Sequence, residues 1–424
     1  MFKRILSIFL VVAVFVVSGM MVGCSKTPEN YALDGVSSNG GIGAISGEYL
    51  YYIGGGTTTL NGASEEVITS TSIYKQKVDA NGNPVQGEEP VIVYRGIAGF
   101  QKGQLYIFGD HIYFAVPSSK MSSSADKLVN RTSFVRIKLD GTGYEELYTT
   151  ETEGNLSYEY YLASEDDAKQ LYIVVLDGTD LYTLKVGKKT KRKDIDSDVT
   201  SAMFTSTNGL GGGAEEYVFY TKAPSETYLT QKGSMIYKAD PAGKNTKLIS
   251  SGEDIKLLKV QHGHLYFSCN NKMYRSTTVA GLDKTNVVSY TVFKSYIFLA
   301  NGGVIGVDEN ESSVVYVRWE AGVLKESKKL LSSKDYTLMM VDGDNLFVHN
   351  SSKIVYRINY TAASVSSSKV YGTKITTVGG ALTYEKIGKF IYTFEEKTIK
   401  DSNGNDLKLT SLVKLDSTNT IKES

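Results

Sequence analysis

Two cysteines, six prolines, four histidines and one tryptophan are all that this 424-residue chain holds of those residues. A count of two, Cys24 and Cys269, excludes a disulfide framework and any cysteine-built zinc site. With 6 prolines against 41 glycines, the turns fall to Gly, Asn and Asp. Neither sign of charge is in excess, at 46 basic and 46 acidic residues, so composition gives no electrostatic footprint for nucleic acid. No Ser/His/Asp set or carboxylate pair stands at a legible spacing, and no helical period appears beyond residue 40. From these absences we expect no catalytic residue, no metal ligand set and no cofactor.

What is present is aromatic and β-prone. Thirty tyrosines stand against 15 phenylalanines, and a 41% hydrophobic content suffices for a packed core. One phrase organises the chain. Asp110-His111-Ile112-Tyr113-Phe114 reads as a buried strand, and Phe134 to Leu139 alternates apolar with polar residues. Asp140-Gly141-Thr142-Gly143 then turns the chain into Glu145 to Tyr148.

The phrase recurs eight times. Its first marker is an aliphatic–aromatic pair: Leu50-Tyr51, Ile112-Tyr113, Leu171-Tyr172, Val218-Phe219, Leu265-Tyr266, Ile297-Phe298, Leu346-Phe347 and Ile391-Tyr392. Its second marker is represented by Ile73-Tyr74-Lys75, Phe134-Val135-Arg136 and Val355-Tyr356-Arg357, and ends at Leu412-Val413-Lys414. From Tyr51 to Tyr392 the mean period is about 49 residues. A period in the forties built from short strands is the mark of a β-propeller, each unit supplying one four-stranded antiparallel blade. The first marker is expected on the second strand, after a turn such as Gly103 or Gly263, and the second marker on the third strand. The fold expected is all-β: one propeller over residues 41–424 with eight four-stranded blades, seven being the alternative. Because Thr420 to Glu423 is short for a final strand, Tyr31 to Val36 is expected to complete or flank the last blade.

The distance between the two markers is 23, 22, 10, 18, 8, 18, 9 and 21 residues along the chain. The longer spacings predict insertions at Gly54–Ser70, Pro117–Arg131, Ala223–Gly233, Gly302–Ser313 and Glu395–Lys408, all on the face carrying the connections between second and third strands. Such loops carry function disproportionately. This long-loop face is therefore the expected site for a protein or glycan partner, polar and mobile before binding, with its residues unassigned.

Other clusters are weighed against plainer readings. His262-Gly263-His264 is more economically a hairpin turn than a metal site, since His111 and His349 lie in distant phrases. Asp401–Asp406 and Asp79–Asn83 have oxygen-rich spacing without the Gly and Glu of a calcium loop, and read as polar hairpins. Lys185 to Lys193 reads as a hairpin neutralised by Asp194, Asp196 and Asp198. Gly54–Gly56 and Gly209–Gly213 precede no helix and are not phosphate loops. Cys269 reads as a buried thiol.

At the start, Lys3 and Arg4 precede an apolar run from Ile5 to Val17, and Met21-Val22-Gly23-Cys24 closes it. This resembles a bacterial lipoprotein signal, and the resemblance implies cleavage after residue 23 and a diacylglycerol on the Cys24 sulfur. It further implies palmitate-type acylation and lipid attachment to a cell membrane on its extracytoplasmic side, with residues 24–40 as the tether. An ordinary signal peptide or a single spanning anchor is the competing reading, though the run is short of the ~20 residues a span needs.

The whole phrase, with its Leu139-Asp140-Gly141-Thr142-Gly143 turn, resembles the YWTD-like propellers of the low-density-lipoprotein-receptor type, and more closely bacterial lipoproteins carrying related repeats. The YWTD motif is absent and Trp319 is the sole tryptophan, so the resemblance implies fold and surface location and transfers no binding residue. The expected function is a non-enzymatic binding or scaffold lipoprotein. The alternatives are an extracytoplasmic propeller enzyme acting on polysaccharide and an outer-membrane assembly factor.

Overall fold

A computed structural model describes the chain from Tyr31 to Lys414, apart from 60–65, 100–103, 119–130, 205–216, 224–232, 278–287, 372–376, 401–405 and shorter gaps. Every element among the described residues is a β-strand. Six antiparallel sheets follow one another along the chain, each of four strands in sequence order. They cover residues 105–149, 156–196, 199–252, 256–291, 295–331 and 337–371. Flanking them, the first and eighth phrases are joined in one eight-stranded sheet. We number the phrases as repeats one to eight.

The markers explain the strands. Every second marker lies on a third strand, and the first markers lie on second strands with one exception. In repeat six, Ile297-Phe298 belongs to the first strand, Ser295–Phe298, and the second strand is Val304–Asp308. The expected insertion at Gly302–Ser313 is therefore absent. Asp308 pairs with Ser313 across a tight turn, and the long spacing came from a marker one strand out of phase. In repeat two the turn between first and second strands is Gly109-Asp110, not Gly103, which lies outside the described residues.

Burial shows how the sheets pack. Ile112 and Phe114 share a cluster with Tyr51, Ile73 and Val93 of repeat one, while Tyr113 and Phe134 share one with Tyr158, Tyr160 and Leu171 of repeat three. Because successive side chains on a strand point to opposite faces, each strand feeds two interfaces and reads as nearly continuously apolar. Further clusters join repeats three and four, four and five, five and six, and six and seven. One more joins the ends of the chain: Leu50, Tyr52 and Val78 of repeat one pack with Ile387 and Tyr392 of repeat eight. The core is thus distributed between sheets, and the series returns on itself.

Tyr31, Val36, Asn39, Gly40 and Gly41, the first four of them expected in a tether, are buried in this body. Tyr31 is buried among repeats two and three, its hydroxyl donating to the Val186 carbonyl at 3.3 Å, and the Gly109 amide donates to Ala32. Val36–Ser37 pairs with Gly43–Ser46, the first strand of repeat one. Asn39 then caps the free edge of Leu105–Phe108, accepting from the Ile107 amide at 2.6 Å and donating to its carbonyl at 2.9 Å. The segment therefore does not flank the last repeat. Tyr31 and Val36 find apolar partners near repeats one to three instead.

Candidate functional site: paired ribbons and the seam beneath them

Outside 60–65 and 401–405, which lie beyond the described residues, the first and last expected insertions are strands. Tyr49–Thr59 pairs with Glu66–Lys77 out to Thr59 opposite Glu66, and Phe390–Lys400 pairs with Asp406–Lys414 out to Lys400 opposite Asp406. Thr57–Thr59, Val67 and Ile68 suit an extended backbone. The two ribbons also pair with each other, with Gly56 opposite Leu409, Thr57 opposite Lys408 and Thr58 opposite Leu407. A polar, mobile loop patch was expected here; a hydrogen-bonded four-stranded platform stands instead, because two β-prone hairpins from adjoining repeats satisfy each other's edges. Of the other insertions, Pro117, Ser118 and Arg131 are strand residues, while 119–130 and 224–232 lie outside the described residues.

Below the platform, repeat eight grips a turn of repeat one. In Asp79–Asn83 the Asp79 carboxylate accepts from the amides of Asn81 at 2.8 Å and Asn83 at 2.9 Å, which holds it below the usual carboxylate range. The turn presents Gly82, with φ +74°, to repeat eight. A Cβ there would stand 2.2 Å from Phe390 Cδ2, so only glycine fits both the backbone and the space. The Tyr392 hydroxyl donates to the Gly82 carbonyl at 2.9 Å, and Lys414 Nζ donates to the Asn81 carbonyl at 2.8 Å. Burial and the nearby Asp79 push the Tyr392 phenol up to about 12.

The same grip recurs around the molecule. Gly141 of repeat two lies against the Val93 backbone of repeat one. Lys193 of repeat three donates to the carbonyls of Ala242 and Gly243 in the Asp240–Lys244 turn of repeat four. Lys328 of repeat six donates to Ala362, in the equivalent turn of repeat seven. The seam between repeats eight and one is therefore built as an ordinary interface between neighbours.

At the other end of the first strands, Glu385 of Tyr384–Ile387 meets the chain entering repeat one. Its Oε2 accepts from the Ile42 amide at 2.6 Å, and its carboxyl occupies the space a Cβ on Gly41 would need. Gly41 itself bridges to Leu105 of repeat two, and the Ile42 carbonyl accepts from Ile53. Burial pushes the Glu385 carboxyl up to about 7 despite the Ile42 bond. One turn of backbone thus touches repeats eight, one and two.

The remaining sequence candidates are scattered. Cys24, His262, Gly263, Gly209–Gly213 and 401–405 lie outside the described residues, while His264 and Asp406 begin strands. His111 contacts Asp110 at 2.6 Å, and His349 is buried with Nδ1 2.9 Å from the Asn350 carbonyl oxygen. Among the described residues no three His, Cys, Asp or Glu side chains group as a metal site. Gly54–Gly56 is strand, and Cys269 is half-buried rather than buried at its strand end.

The Lys185–Lys193 hairpin is neutralised by its own carboxylates only in part, through Asp194. Arg192 takes Asp194 at 2.7 Å and stacks on Tyr182, but Asp196 is bound by Lys222 at 2.6 Å and the Tyr220 hydroxyl at 2.9 Å, both of repeat four. Antiparallel pairing sets Asp196 opposite Leu181, at the far end of the strand pair from the turn that holds Lys188 and Lys189. The platform and Glu385 were the features sequence reasoning missed. Spacing located the insertions but could not pair them, and Glu385 carries no motif.

No family model matches the chain, and no curated protein does. Among solved structures it is similar to the WD40 domain of SCAP from fission yeast, at 9% identity over 87% of this chain and 93% of that one, with a TM-score of 0.45. It is similar to the beta-propeller domain of the Trilobed protease from Pyrococcus furiosus at 11% identity, covering 78% and 97%, with a TM-score of 0.41. BamB from Moraxella catarrhalis is similar at 14% identity, covering 80% and 94%, with a TM-score of 0.38. These likenesses carry no residue and no activity to this chain.

Proposed function

We propose that the protein is an eight-bladed β-propeller lipoprotein, attached by an acylated Cys24 to the extracytoplasmic side of a cell membrane, that works as a non-enzymatic binding or scaffold module. The observation that carries the binding reading is the platform formed by the ribbons of repeats one and eight. Both ribbons run past the four-strand pattern of their repeats: Glu66–Thr71 extends beyond the pairing of its strand with Val91–Arg95, which begins at Ser72. The extension pairs only with its own hairpin and with the ribbon of repeat eight, and we read the backbone and side chains it adds beyond the four-strand pattern as a partner-binding surface. Protein or glycan is the partner class, because the ribbon sequence is rich in Thr, Ser, Lys and Glu, which suits a wet, hydrogen-bonded contact. The sequence from Lys3 to Cys24 supports the anchor.

The test is a pull-down comparing the wild type with a variant in which both ribbons are cut to tight hairpins after Gly54 and Phe394. Loss of specific partners from a folded variant is expected, and identical recovery overturns the binding reading. Fatty-acid labelling of the wild type and of Cys24→Ser tests the anchor separately, and equal label in both overturns it.

A further inference from the structure

Joining the last repeat to the first is the one closure the chain cannot make through a covalent linker, and Glu385 sits at it. We propose that the contact of the Glu385 carboxyl with Gly41 and Ile42 is a proton-operated latch on the seam between repeats eight and one, closed more firmly in acid than above neutrality. The geometry needs little motion to act. Glu385 Oε2 lies 2.6 Å from the Ile42 nitrogen, and its other oxygen rests against Gly41, whose lack of a side chain makes the approach possible. Gly43, two residues on, packs against Ile387 of the same strand. Pushing Glu385 away from this backbone therefore shifts the incoming chain where it also bonds Leu105 and Ile53.

The surrounding charged and titratable groups are engaged elsewhere. On its own strand, Lys386 is paired with Asp342 of repeat seven. Opposite Glu385 in register is Tyr392, whose hydroxyl is given to Gly82. Asp79 and Lys414 are committed to the turn beyond Tyr392, and Tyr52 of repeat one is stacked on Tyr74. The incoming segment Gly41–Gly43 and the facing Leu105 carry no charge. The Glu385 carboxylate, once ionised, has the Ile42 amide as its compensation and no cation beside it among the described groups.

The direction follows from linkage. The carboxyl titrates near 7 with the seam closed, against 4.5 for an ordinary glutamate. The closed seam holds the proton more tightly, so the stabilisation is whole below about 4.5 and is lost as pH rises through about 7. The opening equilibrium should shift by up to about 300-fold across that window, the full value requiring a completely exposed carboxyl in the open state. Ribbon pairing stands on the same seam, so opening would disturb the platform as well. The latch itself does not depend on the platform binding anything.

Hydrogen–deuterium exchange at pH 5, 6, 7 and 8, corrected for the intrinsic rate, tests the proposal on the full chain. Peptides covering 39–58 and 384–414 should lose protection as pH rises, while peptides from repeat six, 295–331, hold theirs. In Glu385→Gln the seam peptides should show no pH dependence. Seam protection that is flat with pH in the wild type overturns the latch. So does loss spread evenly over the molecule, or the same pH profile in the Gln variant. If Glu385→Gln does not fold, the comparison of seam with repeat six in the wild type decides.

Discussion

The hydroxyl of Tyr392 donates to the carbonyl of Gly82 at 2.9 Å across 310 residues of chain, and both groups are buried at the contact. A neutral bond of this kind contributes about 1 kcal/mol, and leaving its buried acceptor unmet costs ~1–3 kcal/mol. Tyr392→Phe should therefore destabilise the body by about 1–2 kcal/mol, read from urea unfolding, with the ring packing kept. A neutral outcome would mean that water replaces the phenol and that the seam is wetter than its burial implies.

Gly82 and Gly47 make a controlled pair. Both have positive φ, +74° and +60°, but a Cβ on Gly82 strikes Phe390 whereas one on Gly47 meets open space. Gly47→Ala should cost about 1 kcal/mol from the backbone alone. Gly82→Ala should cost several times as much, by ~3 kcal/mol or more, because the ring and the Tyr392 hydroxyl must both move. Equal losses would show that Phe390 swings aside freely.

Arg136 is 7% exposed, and its Nε and Nη2 hold Glu145 at 2.9 and 2.8 Å. The pair is half-buried, since Glu145 reaches solvent. Arg136→Met should lower stability by about 1–3 kcal/mol at neutral pH, less than a fully buried pair would lose. Chemical unfolding of the two proteins at neutral pH measures the difference.

Lys414 and Lys193 do the same work at two interfaces, each donating to turn carbonyls of the next repeat. Both are exposed contacts, so Lys→Met at either position should cost no more than about 1 kcal/mol. The effects should add in the double variant, because the sites belong to different interfaces. Coupling above about 0.5 kcal/mol would show that strain passes around the ring.

Much of this architecture could be read from residue order. The pairs Ile112-Tyr113 and Leu171-Tyr172 located second strands because a strand packed on both faces needs apolar residues in succession. Asp140-Gly141 located a turn because the carboxylate and the positive φ are local properties. Ile297-Phe298 misled for the same reason it attracted notice: first strands are packed on both faces too, and the pair does not say which it is. Ribbon pairing, the entry of Tyr31 between repeats two and three, and the setting of Glu385 were illegible. Each joins residues with no common periodicity, decided only once the repeats surround an axis.

Those long separations also set a schedule. Ile42 and Glu385 are 343 residues apart, and Lys414 is 333 from its acceptor at Asn81. At ~5–20 residues per second, synthesis delivers Glu385 on the order of tens of seconds after Ile42. Throughout that interval the strand Tyr49–Thr59 has an outer stretch with no partner from repeat eight, in a nascent chain where open edges invite pairing with other chains. Gly54–Gly56 followed by three threonines is a poor nucleus for such contacts, having little apolar surface to offer. The composition of the first ribbon thus suits an edge that must wait for the last strand to be made.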